Sequence, residues 1–128
     1  MYGDIDMVKD MTGVEPGLFD FETEKELNDM IKRLLESATV AIDARLKGSI
    51  KEDDPYFIAI SDIANRLVSK LIFYAKSNRR AQIIKYDEND ITVLLNTTDF
   101  FDDLKRELAP FQKTKIKIFH SAGESNGS

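Results

Sequence analysis

The sequence predicts a mainly α-helical fold: a small bundle of about four helices around one central apolar helix at 55–77. A minor β-hairpin or extended segment near 82–96 and a short C-terminal strand complete it. Three observations lead there. Pro55–Ser77 carries an apolar surface wider than half a helix. A stretch from Thr23 to about Lys47 shows a 3.6-residue apolar stripe behind a capping signal. The run KTKIKIF, Lys113–Phe119, alternates polar and apolar residues over most of its length instead.

In the central helix, Tyr56, Ile60, Ile63, Ala64, Leu67, Leu71, Tyr74 and Ala75 follow the i, i+3, i+4, i+7 rule. Phe57, Val68 and Ile72 widen that stripe. Ser61, Asp62, Asn65, Arg66, Ser69, Lys70 and Lys76 are left for a wet side. A helix this apolar must be covered by others on most of its surface. Burying about ten such side chains contributes roughly 15–30 kcal/mol gross, before chain entropy is subtracted.

Asp4–Thr12 reads as a short first helix, with Ile5, Val8, Met7 and Met11 on its apolar side and Gly13 at a left-handed cap. Val14–Phe21, with Pro16 and Gly17, reads as a loop that pins Leu18, Phe19 and Phe21 on the core. Thr23-Glu24-Lys25-Glu26 is a capping box. The helix it opens carries Leu27, Met30, Ile31, Leu34, Leu35, Ala38, Ala41, Ile42 and Leu46 inward, and Gly48 is its stop signal. The short polar linker Ser49–Asp54 makes the next helix an antiparallel neighbour. Asp54-Pro55 starts that helix. Gln82–Tyr86 and Ile91–Asn96 are β-prone runs around Asp87-Glu88-Asn89-Asp90. Thr98 or Thr97 caps a helix over Asp99–Ala109, with Phe100, Phe101, Leu104 and Leu108 inward and Pro110 ending it. The reading is one domain over 1–119 and a flexible tail over 120–128.

The 128 residues are enough to bury a core, and their 42% hydrophobic and 32% charged content is ordinary for a soluble globular protein. There is no cysteine, so no disulfide framework or thiolate zinc site; the expectation is a protein made in a reducing cytoplasm. Neither a secretory signal nor a membrane span is expected. The net charge of −5 argues weakly against a nucleic-acid-binding surface as the main role. The charge lies in blocks: −7 over residues 1–54, +5 over 55–86, −5 over 87–112 and +2 over 113–128. Blocks of opposite sign can steer one copy onto a different surface of the next; chance clustering on solvated helix faces is the alternative.

Chemistry is scarce. The single histidine, His120, stands beside the polar tail and reads as a surface residue. Asp87-Glu88-Asn89-Asp90 lacks the glycine and ligand spacing of an EF-hand loop. No phosphate-cradling glycine run and no nucleophile elbow occurs. No catalytic residue, cofactor or metal is expected. The best basic patch is Arg79-Arg80 with Lys76 and Lys85, which either contacts phosphate or an acidic partner, or pairs with the acidic segments at the helix C-terminus.

The order of features resembles a known family. A short helix ends in Met11-Thr12-Gly13, a long amphipathic helix ends in a linker, and an Asp-Pro start opens AISDIANRLVSKLIFYAKSNR. DENDITVLLNTTDFFDDLKRELAPF and a basic final strand follow. Over nearly its whole length the chain resembles the head–tail connector, or adaptor, proteins of long-tailed bacteriophages and prophages. The resemblance rests on element order and apolar positions, not on a catalytic signature. It implies a virion structural protein of the neck, with no enzymatic activity. Such proteins form an oligomeric ring, typically of twelve copies, beneath the portal protein, extend the channel used in DNA ejection, and dock the next neck or tail-completion protein. Genomic DNA would pass through without specific binding, and no membrane is involved. By position, the resemblance places the C-terminal segment toward the portal. Lys113, Lys115, Ile116, Lys117, Ile118 and Phe119, with Arg79 and Arg80, are therefore the expected partner-binding residues. The alternatives are a small cytoplasmic helical binding or regulatory module, or another neck protein such as a stopper or tail-completion protein.

Overall fold

The computed structural model describes residues 1–77, 102 and 104–111, and the fold is a small, mainly α-helical bundle. Helix α1 spans Ile5–Thr12, with Asp4 extended at its N-terminus. Gly13 closes it in the left-handed conformation (φ 63°), and its N–H donates to the Lys9 carbonyl at 2.8 Å. No Cβ opposes that conformation. Val8 is the one residue of α1 that is fully buried, with Ile5 half-buried. Met7 and Met11, expected on the apolar side, are exposed. Met7 precedes the buried Val8 by one residue, about 100° of rotation on a helix. Met11, 37% exposed, still meets the core side, where its Sδ accepts from the Ser69 hydroxyl at 3.5 Å.

Val14–Phe21 is more ordered than the expected loop. Pro16–Phe19 forms a 3-10 turn that drives Phe19 into the core. Phe21 packs beside it, ring centroids 6.2 Å apart. Leu18 is exposed, contrary to expectation; three residues per turn point it about 120° away from Phe19.

Helix α2 spans Glu24–Leu46. The Thr23 hydroxyl accepts from the Glu26 N–H at 3.2 Å, as a capping box requires. The return leg is displaced by one residue, because the Glu26 carboxylate accepts from the Glu22 N–H at 3.2 Å. Leu27, Met30, Ile31, Leu34, Leu35, Ala38, Ile42 and Leu46 are buried and Ala41 is half-buried, which is the expected stripe. Gly48 is not the left-handed stop. Lys47 takes that conformation (φ 59°), and the Lys47 and Gly48 N–H groups both return to the Asp43 carbonyl.

Helix α3 spans Phe57–Ser77 and starts two residues later than the Asp54-Pro55 signal placed it. Asp54 closes a separate turn instead. Its carboxylate accepts from the Tyr56 N–H at 2.8 Å, and its carbonyl from the Phe57 N–H at 3.0 Å. An aspartate that satisfies the amide two residues on competes with the helix for that stretch. Ile60, Ile63, Ala64, Leu67, Val68, Leu71, Ile72 and Ala75 are buried as expected. Tyr56, outside the helix, is 38% exposed. Asn65 and Ser69, assigned to the wet side, are buried. Helix α1 and the residues before it cover that side, so neighbours enclose about two thirds of the circumference of α3.

Residues 104–111, here α4, are helical, as is residue 102. Leu104 and Leu108 are buried as expected. Pro110 does not end this helix, which runs through residue 111. The proline removes one backbone hydrogen bond from the helix, while Leu104 and Leu108 stay packed. Among the described residues there is no strand. The 82–96 hairpin, the Thr97 or Thr98 cap, Phe100 and Phe101, the strand over 113–119 and the 120–128 tail lie outside them.

Candidate docking surfaces

The best-built polar site is a clasp at the N-terminus. Tyr2 is 2% exposed. Its backbone N–H donates to the Thr39 hydroxyl at 2.9 Å, and that hydroxyl donates on to the Leu35 carbonyl. The Tyr2 hydroxyl donates to the Asp43 carboxylate at 2.5 Å and accepts from the Ile50 N–H at 2.7 Å. Ser49 donates to the other oxygen of Asp43 at 2.9 Å, and the Phe57 ring meets the Tyr2 ring edge-on at 5.7 Å. Burial, then the bond to Asp43, pushes the Tyr2 phenol up to about 12. Gly3 follows in a left-handed conformation (φ 90°), where an added Cβ would stand 2.6 Å from Leu35 Cδ2 and 2.7 Å from Asn65 Oδ1. The Asp4 N–H donates to Asn65 Oδ1 at 2.8 Å, which is why a buried asparagine is tolerated on α3. The clasp fastens α1 to α2, α3 and the bend between them.

Two further polar links set the periphery. Lys9 of α1 donates to Glu24 at 2.8 Å and to Asn28 at 3.0 Å, tying α1 to the first turns of α2. Arg66 of α3 bridges Asp62 at 2.9 Å and Glu107 of α4 at 2.7 Å. Burial pulls its pKa down, but the bonds to Asp62 and Glu107 outweigh that and hold the guanidinium charged. A shallow hollow beneath it is lined by Ile63, Leu67 and Leu104.

Among the described residues, an open surface with exposed apolar side chains lies at the α2–α3 bend. Residues 52–62 hold Glu52, Asp53, Asp54 and Asp62, the last paired with Arg66, and Lys51 stands just before them. Glu52 and Asp53 are exposed. Among them stand Tyr56 and Ile58, the latter 81% exposed. Phe111, where α4 reaches its described end, meets Tyr56 edge-on with ring centroids 5.7 Å apart. Val40 on α2 and Phe73 on α3 are also exposed.

The partner-binding residues expected from sequence, Arg79, Arg80, Lys113, Lys115, Ile116, Lys117, Ile118 and Phe119, all lie outside the described residues. Sequence reasoning missed the clasp and the bend patch. Tyr2 and Gly3 carry no periodic signal. Ile58 was visible as an apolar residue off the stripe of α3, with Asp54 and Asp62 four positions to either side. Among the described residues, no group of three or more histidine, cysteine, aspartate or glutamate side chains could hold a metal ion, and no helix is long and apolar enough to cross a membrane. No family model, curated protein or solved structure matches the chain.

Proposed function

We propose that the chain is a head–tail connector, or adaptor, of a long-tailed bacteriophage or prophage: a virion component with a structural rather than catalytic role. It assembles as a ring beneath the portal protein, extends the DNA channel and receives the next neck protein. The observation that carries this reading is the element order, in which a short helix stopped at Gly13, a long helix, a polar bend and a central apolar helix follow one another. The helical character of the described residues favours this over a stopper or tail-completion role, since those neck proteins are usually richer in strand. The segregated charge blocks suit a head-to-tail contact between copies that closes on itself. An acidic chain also suits a conduit wall that does not hold passing phosphate. The test is electron microscopy of the purified chain mixed with the portal protein of the same genome. A ring added to one face of the portal supports the reading; portals that stay bare at saturating chain overturn it.

A further inference from the structure

We propose that the acidic, apolar patch at the α2–α3 bend is the docking surface for the chain's own C-terminal segment, Lys113–Phe119, held in cis. Three features of the molecule converge on that occupant. The patch pairs exposed apolar side chains, Tyr56 and Ile58, with the exposed carboxylates Glu52 and Asp53, which outnumber the neighbouring Lys51. The segment is its chemical complement, with Lys113, Lys115 and Lys117 interleaved with Ile116 and Ile118, followed by Phe119, and with no carboxylate. Phe111 lies against Tyr56, and in sequence only Gln112 separates it from the segment.

Tethering favours this occupant further. Seven extended residues span about 23 Å, ample to cross from Tyr56 to Ile58 and the bend. A segment anchored that close faces its site at an effective concentration on the order of millimolar, so even weak contacts hold it. Single exposed pairs of lysine and carboxylate contribute little; the apolar side chains, which Ile58 leaves uncovered, carry most of the attraction. The proposal concerns the free chain and does not rest on the connector reading.

Engineered thiols test it, because the chain has no cysteine of its own. Pro55→Cys combined with Thr114→Cys, which spares the apolar contacts, is oxidised at low protein concentration, and peptide mapping separates disulfides within a chain from those between chains. The expected result is closure within the chain. It slows about tenfold on adding Ile116→Ser, which removes an apolar contact and leaves the charge unchanged, and likewise on adding Glu52→Lys with Asp53→Lys. Adding Lys115→Glu with Lys117→Glu to that charge reversal restores the rate. Closure that ignores all these changes marks an undirected tail and overturns the proposal. Disulfides formed only between chains overturn it in favour of a second copy.

Discussion

Replacing Tyr2 by phenylalanine removes one oxygen and keeps the ring against Phe57, so it isolates the polar half of the clasp. Two effects add. The bond to the Asp43 carboxylate, a charged acceptor, is worth about 1.5–3 kcal/mol. The Ile50 N–H loses its acceptor, and because Ile50 is half-buried only part of the roughly 1–3 kcal/mol for a stranded donor applies. The expected loss is about 2–4 kcal/mol, or roughly 8–16 °C in Tm for a domain of this size. Denaturant unfolding of both proteins measures it, and amide exchange at Ile50 should quicken in the variant. The sign with pH is fixed. A phenol held up to about 12 in the folded chain ionises near 10 once unfolded, so its contribution is complete below pH 10 and is lost as pH rises through 12. The gap between wild type and Tyr2→Phe should therefore shrink between pH 10 and 12. Its fall stays below the ~2.7 kcal/mol that two pKa units represent, because the hydroxyl reaches out to the half-exposed Asp43. A variant within about 0.5 kcal/mol of wild type, with unchanged exchange at Ile50, would refute the clasp as a stabilising element.

Three other outcomes follow from the same structure, and a fourth from the proposed connector function. Gly3→Ala should destabilise by about 2–4 kcal/mol by calorimetry, because its Cβ collides with Leu35 and Asn65 in a backbone conformation that resists side chains. Leu67→Ala should cost roughly 2–5 kcal/mol in chemical denaturation through the cavity it leaves in the buried face of α3. Lys47→Gly should raise stability by about 0.5–1 kcal/mol, since it relieves a left-handed residue at the end of α2; a lower melting temperature would contradict the cap described there. Deleting residues 113–128 should leave the helical circular-dichroism signal of the body intact while abolishing portal binding in a pull-down.

Periodicity made the long helices legible. The stripes of α2 and α3 required only counting, because buried faces repeat every 3.6 residues whatever the neighbours are. The ends were harder. Asp54 carries the right side chain for a helix cap and spends it on a turn, and Lys47 occupies a left-handed position for which the adjacent Gly48 was the obvious candidate. Asn65 and Ser69 were misplaced for a physical reason. A polar side chain on a helix reads as wet until something brings it a partner, and the partner of Asn65 is the Asp4 N–H, 61 residues away. Tyr2 is the extreme case: its burial depends on Thr39, Asp43 and Ile50, none of which leaves a local trace near the N-terminus. The bend patch was half visible. Its acidic run reads as part of a polar linker, and only the packing of Phe111 on Tyr56 shows that the chain returns there.

The most direct test of the connector account is the native mass of the assembly formed when the chain is added to its purified portal. The account predicts a discrete complex carrying a whole ring of chains, twelve on a twelve-fold portal, with no stable species at one or two copies. A portal mass that does not change at saturating chain would contradict it.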